Sequence, residues 1–76
     1  MPSPAGWVVQ IKAPGQAGAP PAFRYFNVAI ADANLAVEAI VKQEIPPRGA
    51  DVSAIRQLSP QEIATLRLKS GAAKPA

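Results

Sequence analysis

The chain offers few of the side chains that enzymes use for catalysis. It contains no histidine and no cysteine, which removes the usual general base, the thiolate nucleophile and Cys-ligated metal sites. The serine and threonine hydroxyls therefore have no imidazole to activate them. The five carboxylates form no close pair, because Glu38 and Glu44 are six residues apart and would lie about 120° apart around a helix. The sequence predicts a protein that is not an enzyme and that uses no metal and no small-molecule cofactor.

The charged residues are distributed unevenly along the chain. Eight lysine and arginine residues against five acidic residues give a net charge of +3 and a pI near 9.8. Residues 1–31 carry Lys12 and Arg24 without an acidic residue, and the C-terminal segment carries Arg67, Lys69 and Lys74. This modest positive excess is compatible with an anionic partner, but many soluble domains without such a partner share it. We expect the C-terminal cations mainly to keep the protein soluble.

Polar and aromatic side chains alternate along two predicted strands and would share one face of a sheet. An aromatic ring beside a cation and amides can contact a protein surface or stack on a nucleic-acid base. The residues of this face are Gln10 and Lys12 from the first strand and Tyr25, Asn27 and, as a further candidate, Phe23 from the second. We expect this face to bind a protein partner or a second copy of the chain. The alternative is weak nucleic-acid binding through Tyr25, Lys12 and Arg24 together with the basic C-terminal segment.

The strands that carry these residues are predicted from apolar residues at every second position. Residues 6–13 place Trp7, Val9 and Ile11 on one face, which is typical of a half-buried strand. If exposed, Trp7 would be an anchor for a partner, but its phase favours a position over the core. Residues 23–31 alternate in the same way, with Phe26 and Val28 facing that core. The intervening residues 14–22, rich in proline, glycine and alanine, predict a loop that allows an antiparallel hairpin.

At Asp32 the apolar repeat changes from two residues to about three and a half. Residues 33–43 carry an apolar stripe that includes Ala36, Val37 and Ile40, which predicts an amphipathic helix. Asp32 precedes the first helical residue, so its carboxylate is placed to accept hydrogen bonds from the free backbone N–H groups of the first turn. The sequence thus predicts a strand, a cap and a helix within about twenty residues.

The last third of the chain combines a weaker strand signal with a strong helix start. Residues 52–58 predict a third strand in which Val52, Ile55 and Leu58 reach the core. Ser59 and Glu62 match a capping box, with proline at the first helical position between them. Two lengths are compatible with this start, a single turn ending near residue 65 or a longer helix ending before residue 71, and we favour the first.

Together these elements predict a small α+β domain of order β-β-α-β, with one main helix on one sheet face and a short C-terminal helical turn. A right-handed crossover through the helix would make the second and third strands parallel, while the first two strands form an antiparallel hairpin. This element order resembles that of the β-grasp fold, and the resemblance implies topology alone. We expect a single domain over residues 6–69, with disordered ends at residues 1–5 and 70–76.

Size and hydropathy set two further expectations. A domain this small buries a modest core, so self-association is an expected source of stability. No apolar run approaches the roughly 18–20 residues that a membrane span needs, and no signal-peptide pattern opens the chain. We therefore expect a cytoplasmic protein without a membrane partner.

Overall fold

The computed structural model describes residues 5–76 of the chain, so the predicted disorder of residues 1–4 lies outside the described residues. It has the α+β class and the β-β-α-β order that the sequence predicted, followed by a short helix and one further strand. The elements are β1 (Gly6–Ala13), β2 (Ala22–Val28), α1 (Ala33–Glu44), β3 (Asp51–Leu58), α2 (Pro60–Thr65) and β4 (Ala73–Pro75).

The four strands form one sheet in the order β3-β1-β2-β4, and every neighbouring pair is antiparallel. The predicted hairpin of the first two strands is confirmed. Because β2 and β3 both run antiparallel to β1, they run in the same direction, as expected for the connection through α1. They are not neighbours, since β1 lies between them, and this arrangement leaves β3 at one edge of the sheet.

The main core lies between α1 and one face of the sheet. Its fully or almost fully buried members are Val9 and Ile11 of β1, Phe26 and Val28 of β2, and Ala36 and Ile40 of α1. Trp7 packs against this cluster, and its indole N–H donates a hydrogen bond to the Ala31 carbonyl oxygen at 2.9 Å. The predicted position of Trp7 over the core is therefore confirmed.

Both ends of α1 have identifiable caps. Asp32 has an extended backbone, and its Oδ1 accepts a hydrogen bond from the Leu35 backbone N–H at 3.1 Å, as the sequence predicted. At the other end Ile45 has a left-handed backbone with φ of 47°, and its N–H donates to the Val41 carbonyl oxygen. A β-branched residue in this conformation is strained.

A β-bulge in β3 separates the three residues that the sequence assigned to one core. The register against β1 shifts at Ile55, which is 49% exposed, so the prediction that Ile55 reaches the core is wrong. Val52 pairs with Ile11 and packs against the main core. Leu58 is buried, but it pairs with Gly6 and therefore lies on the opposite face of the sheet.

The short helix α2 lies beside Leu58 on that opposite face, where residues of both line one cleft. Ser59 and Glu62 form the predicted capping box, and α2 ends at Thr65, which confirms the shorter of the two predicted lengths. A β-carbon at Gly6 would overlap the Val28 carbonyl oxygen and come within 3.0 Å of the Ile63 Cδ1 atom. Glycine at this position thus allows α2 to approach the sheet closely.

The C-terminal segment differs from the prediction of a disordered tail over residues 70–76. Residues 73–75 form β4 and pair with the last three residues of β2. The Gly71 N–H also donates to the Ala29 carbonyl oxygen at 2.8 Å, and the Ala29 N–H donates to the Ala72 carbonyl oxygen at 2.8 Å. These contacts are made by backbone groups, which a composition of small residues does not reveal.

Candidate functional site

The β1–β2 register brings four of the five predicted binding residues onto one face of the sheet. Gln10 lies directly opposite Tyr25, and Lys12 lies directly opposite Phe23. Asn27 is two residues further along β2 and therefore projects to the same side. We call this surface the open face, and its residues are Val8, Gln10 and Lys12 of β1, Phe23, Tyr25 and Asn27 of β2, and Asp51, Ser53 and Arg56 of β3.

Two aromatic side chains on the open face are substantially exposed. Phe23 is 48% exposed and Tyr25 is 42% exposed, and both project from β2 on the side that α1 does not cover. Residues two apart on a strand lie about 7 Å from each other, so the two rings form a continuous apolar strip. Aromatic residues are enriched at the centres of protein interfaces, which makes this strip the strongest binding feature of the face.

The fifth predicted residue, Arg24, lies on the opposite face of the sheet. It pairs with Ile11 of the main core, and its guanidinium is 2.9 Å from a Glu44 carboxylate oxygen at the end of α1. The same guanidinium lies 5.1 Å from the centre of the Phe26 ring. Arg24 therefore faces the opposite side from Tyr25 and Lys12, as the alternation of residues along the strand predicts. Its part in the alternative nucleic-acid-binding function stays a prediction.

Carboxylates lie near some of the cations of the open face. Lys12 lies directly opposite Asp51 in the β1–β3 register. Arg56 donates to Glu62 of α2 across 2.8 Å. Lys74 of β4 adds one more cation opposite Asn27. The face thus combines exposed aromatic rings with charges of both signs, and it does not present a continuous basic surface.

A cleft of about 420 Å³ lies where α2 meets the open face. Leu58 and Leu66 contribute its apolar surface. Its polar rim consists of Asn27 and Arg56 from the sheet and Gln61, Glu62 and Thr65 from α2. Sequence reasoning found Asn27 but missed the α2 residues, because the capping box reveals where α2 begins and not where it packs.

Glu62 links the capping box to the sheet at this cleft. Its carboxylate accepts from Arg56 and from the Ser59 backbone N–H, while its own N–H donates to the Ser59 hydroxyl oxygen. The hydrogen bond from Arg56 is the largest influence and, together with that from Ser59, lowers the pKa of Glu62 below its usual value of 4.5. A charged Glu62 therefore holds α2 against β3.

Two kinds of site are absent from residues 5–76, the part of the chain that the structure describes. No group of three or more acidic, histidine or cysteine residues is placed to hold a metal ion. No helix in this part of the chain is both long and apolar enough to cross a membrane. Comparison with known proteins finds no matching family model, no matching curated protein and no matching solved structure.

Proposed function

We propose that this protein is a small, non-enzymatic protein-binding module that contacts its partner through the open face. The observation that carries the proposal is the exposed pair Phe23 and Tyr25 on a sheet face that α1 leaves uncovered. Aromatic side chains supply most of the binding energy at many protein interfaces, especially when polar groups surround them. Gln10 and Lys12 lie directly opposite these rings and supply such a polar surround.

The charge pattern of the open face supports a protein partner over a nucleic acid. A nucleic-acid surface needs several unpaired cations that can replace the counterions of the phosphates. Here Arg56 pairs with Glu62, and Arg24 lies on the other side of the sheet with Glu44. The open face then offers Lys12, which lies opposite Asp51 in the strand register, and Lys74, and two lysines are few for this purpose. Mixed charges around an apolar centre are typical of the rim of a protein interface.

Site-specific crosslinking tests the proposal directly. A photoreactive benzoylphenylalanine would replace Tyr25 in cells that express the full chain. The matched control carries the same group at Leu35, which is 54% exposed on α1. We expect a defined crosslinked species from position 25 and none of the same mass from position 35. Equal crosslinking from both positions would contradict a contact surface on the open face.

The mass of the crosslinked species identifies the class of partner. Two copies of this 7.9 kDa chain indicate self-association, and any other protein adduct indicates a different partner. A Phe23→Ser, Tyr25→Ala variant should weaken either complex about 30-fold or more, as expected when an interface hot spot is removed. Its thermal unfolding curve serves as the folding control. Salt-sensitive retention of the wild type on a polyanion column, lost in a Tyr25→Ala, Lys12→Ala variant, would instead favour nucleic-acid binding.

A further inference from the structure

The edge strand β3 has a free side along its whole length. It is the terminal strand in the sheet order and pairs only with β1. Within residues 5–76, no backbone hydrogen bond joins its outer side to another element. By contrast, the edge at the other end of the sheet is formed by the three residues of β4. An eight-residue edge with unpaired N–H and C=O groups is a template on which a further strand can pair.

A groove of about 600 Å³ lies between this free edge and α1. Small and branched apolar side chains form about half of its surface, namely Ala33 and Val37 from α1 and Val52 and Ala54 from β3, and Asn34, Glu38 and Ser53 supply the polar part. A strand added beside β3 would direct every second side chain towards the helix side of the sheet. The groove would therefore receive side chains at the same place where the backbone edge offers hydrogen bonds.

The charge of the groove indicates the chemistry of its occupant. Among the described residues, Glu38 is the only charged one that lines the groove. A second copy pairing through β3 would bring a second Glu38 to the same edge, and like charges at an interface oppose association. The groove is therefore better matched by a segment that carries lysine or arginine.

We propose that β3 accepts an extended segment of a partner protein as a fifth strand. The segment places small or branched apolar side chains in the groove and a lysine or arginine against Glu38. The β-bulge at Ile55 interrupts the regular edge, so pairing is expected along Asp51–Ala54, a length of about 13 Å. The strand addition uses the backbone edge of β3 and the groove beside α1, whereas the proposed function uses the exposed rings of Phe23 and Tyr25, so the two proposals can fail independently.

Selection from a display library of random heptapeptides, with the full-length chain as target, provides the test. Enriched peptides should carry small or branched apolar residues at every second position, with a lysine or arginine at one position of that same series. They should lose detectable binding to an Asn34→Trp variant, which fills the groove from an exposed helix position. Absence of enrichment, or peptides that bind this variant equally well, would overturn the proposal.

Amide hydrogen exchange with a selected peptide distinguishes strand addition from other binding modes. The outward amides of Asp51–Ala54 should exchange more slowly in the complex, because they gain hydrogen-bond acceptors. Protection confined to Tyr25 and its neighbours in β2 would place the peptide elsewhere and contradict strand addition. Protection of β3 that rises with protein concentration in the absence of peptide would show that the occupant is a second copy, which would also overturn the proposal.

The proposed ion pair between Glu38 and a basic residue of the peptide can be tested against a control substitution that changes the net charge by the same amount. Glu38→Gln should weaken peptide binding by about two- to fivefold, the range of an exposed ion pair. Gln43→Lys raises the net charge by the same one unit at an exposed position of α1 that does not line the groove. It should leave binding unchanged, and an equal effect of both substitutions would refute a specific contact with Glu38.

Discussion

The placement of Leu58 gives the sharpest test of the fold. Leu58 is 2% exposed and lies under α2, whereas Ile55 on the same strand is 49% exposed. Replacing a buried leucine by alanine costs about 2–5 kcal/mol. The cleft beside Leu58 lets the site relax, so we expect about 2–3 kcal/mol for Leu58→Ala. Ile55→Ala should cost less than about 1 kcal/mol, because half of the side chain is already in contact with solvent.

Urea and thermal unfolding followed by Trp7 fluorescence would measure both variants. A protein of this length has a total stability of roughly 4–11 kcal/mol, so the loss at Leu58 is a large fraction of it. The corresponding fall in melting temperature is about 10–20 °C. Hydrogen exchange should show that α2 loosens first, because Leu58 contacts α2 and is not part of the main core. The placement is refuted if Ile55→Ala costs as much as Leu58→Ala, or if α1 loosens before α2.

Three further predictions concern local features. The hydrogen bond from Arg56 lowers the pKa of Glu62 below 4.5. The charged carboxylate therefore stabilises α2 fully above about pH 4.5. This stabilisation is lost as the pH falls from there through the folded-state pKa. The difference in urea midpoint between the wild type and Glu62→Gln should therefore be present at neutral pH and disappear in acid; a constant difference would contradict this role. Asp32→Ala should cost about 0.5–2 kcal/mol by urea unfolding, whereas Asp32→Asn, which keeps a capping oxygen, should cost much less. Ile45→Gly should raise the free energy of unfolding by about 0.5–1 kcal/mol. Glycine relieves the strain of the left-handed backbone, and the greater freedom of glycine in the unfolded chain offsets part of this gain. A lower melting temperature would contradict the prediction and show that the 81%-exposed side chain makes a stabilising contact.

Much of the fold follows from patterns within a few neighbouring residues. The alternation around Val9 and Phe26 predicted the first hairpin, and the change of repeat at Asp32 predicted α1 with its cap. The capping box at Ser59 predicted the start of α2. On the candidate site, alternation alone brought Gln10, Lys12, Tyr25 and Asn27 to one face. These predictions succeed because strand alternation, helical periodicity and caps depend on the chain within about one or two turns.

The errors share a different cause. Ile55 and Leu58 were both expected to reach the main core, but a single bulge leaves Ile55 exposed and places the buried Leu58 on the opposite face of the sheet. Residues 73–75 pair with β2 through backbone hydrogen bonds, which do not depend on the side chains. The composition of this segment therefore does not predict the pairing.

The sequence by itself determined β1, β2 and β3, the two helices with the residues at which they begin, and which side chains of β1 and β2 share the open face. Only the tertiary structure decided that β1 lies between β2 and β3, that α2 packs over Leu58, and that β3 keeps a free edge beside α1. The physical reason is the range of the interactions. Periodicity and capping act between residues a few positions apart, whereas strand order, bulges and edges result from pairing between segments that are distant in the sequence.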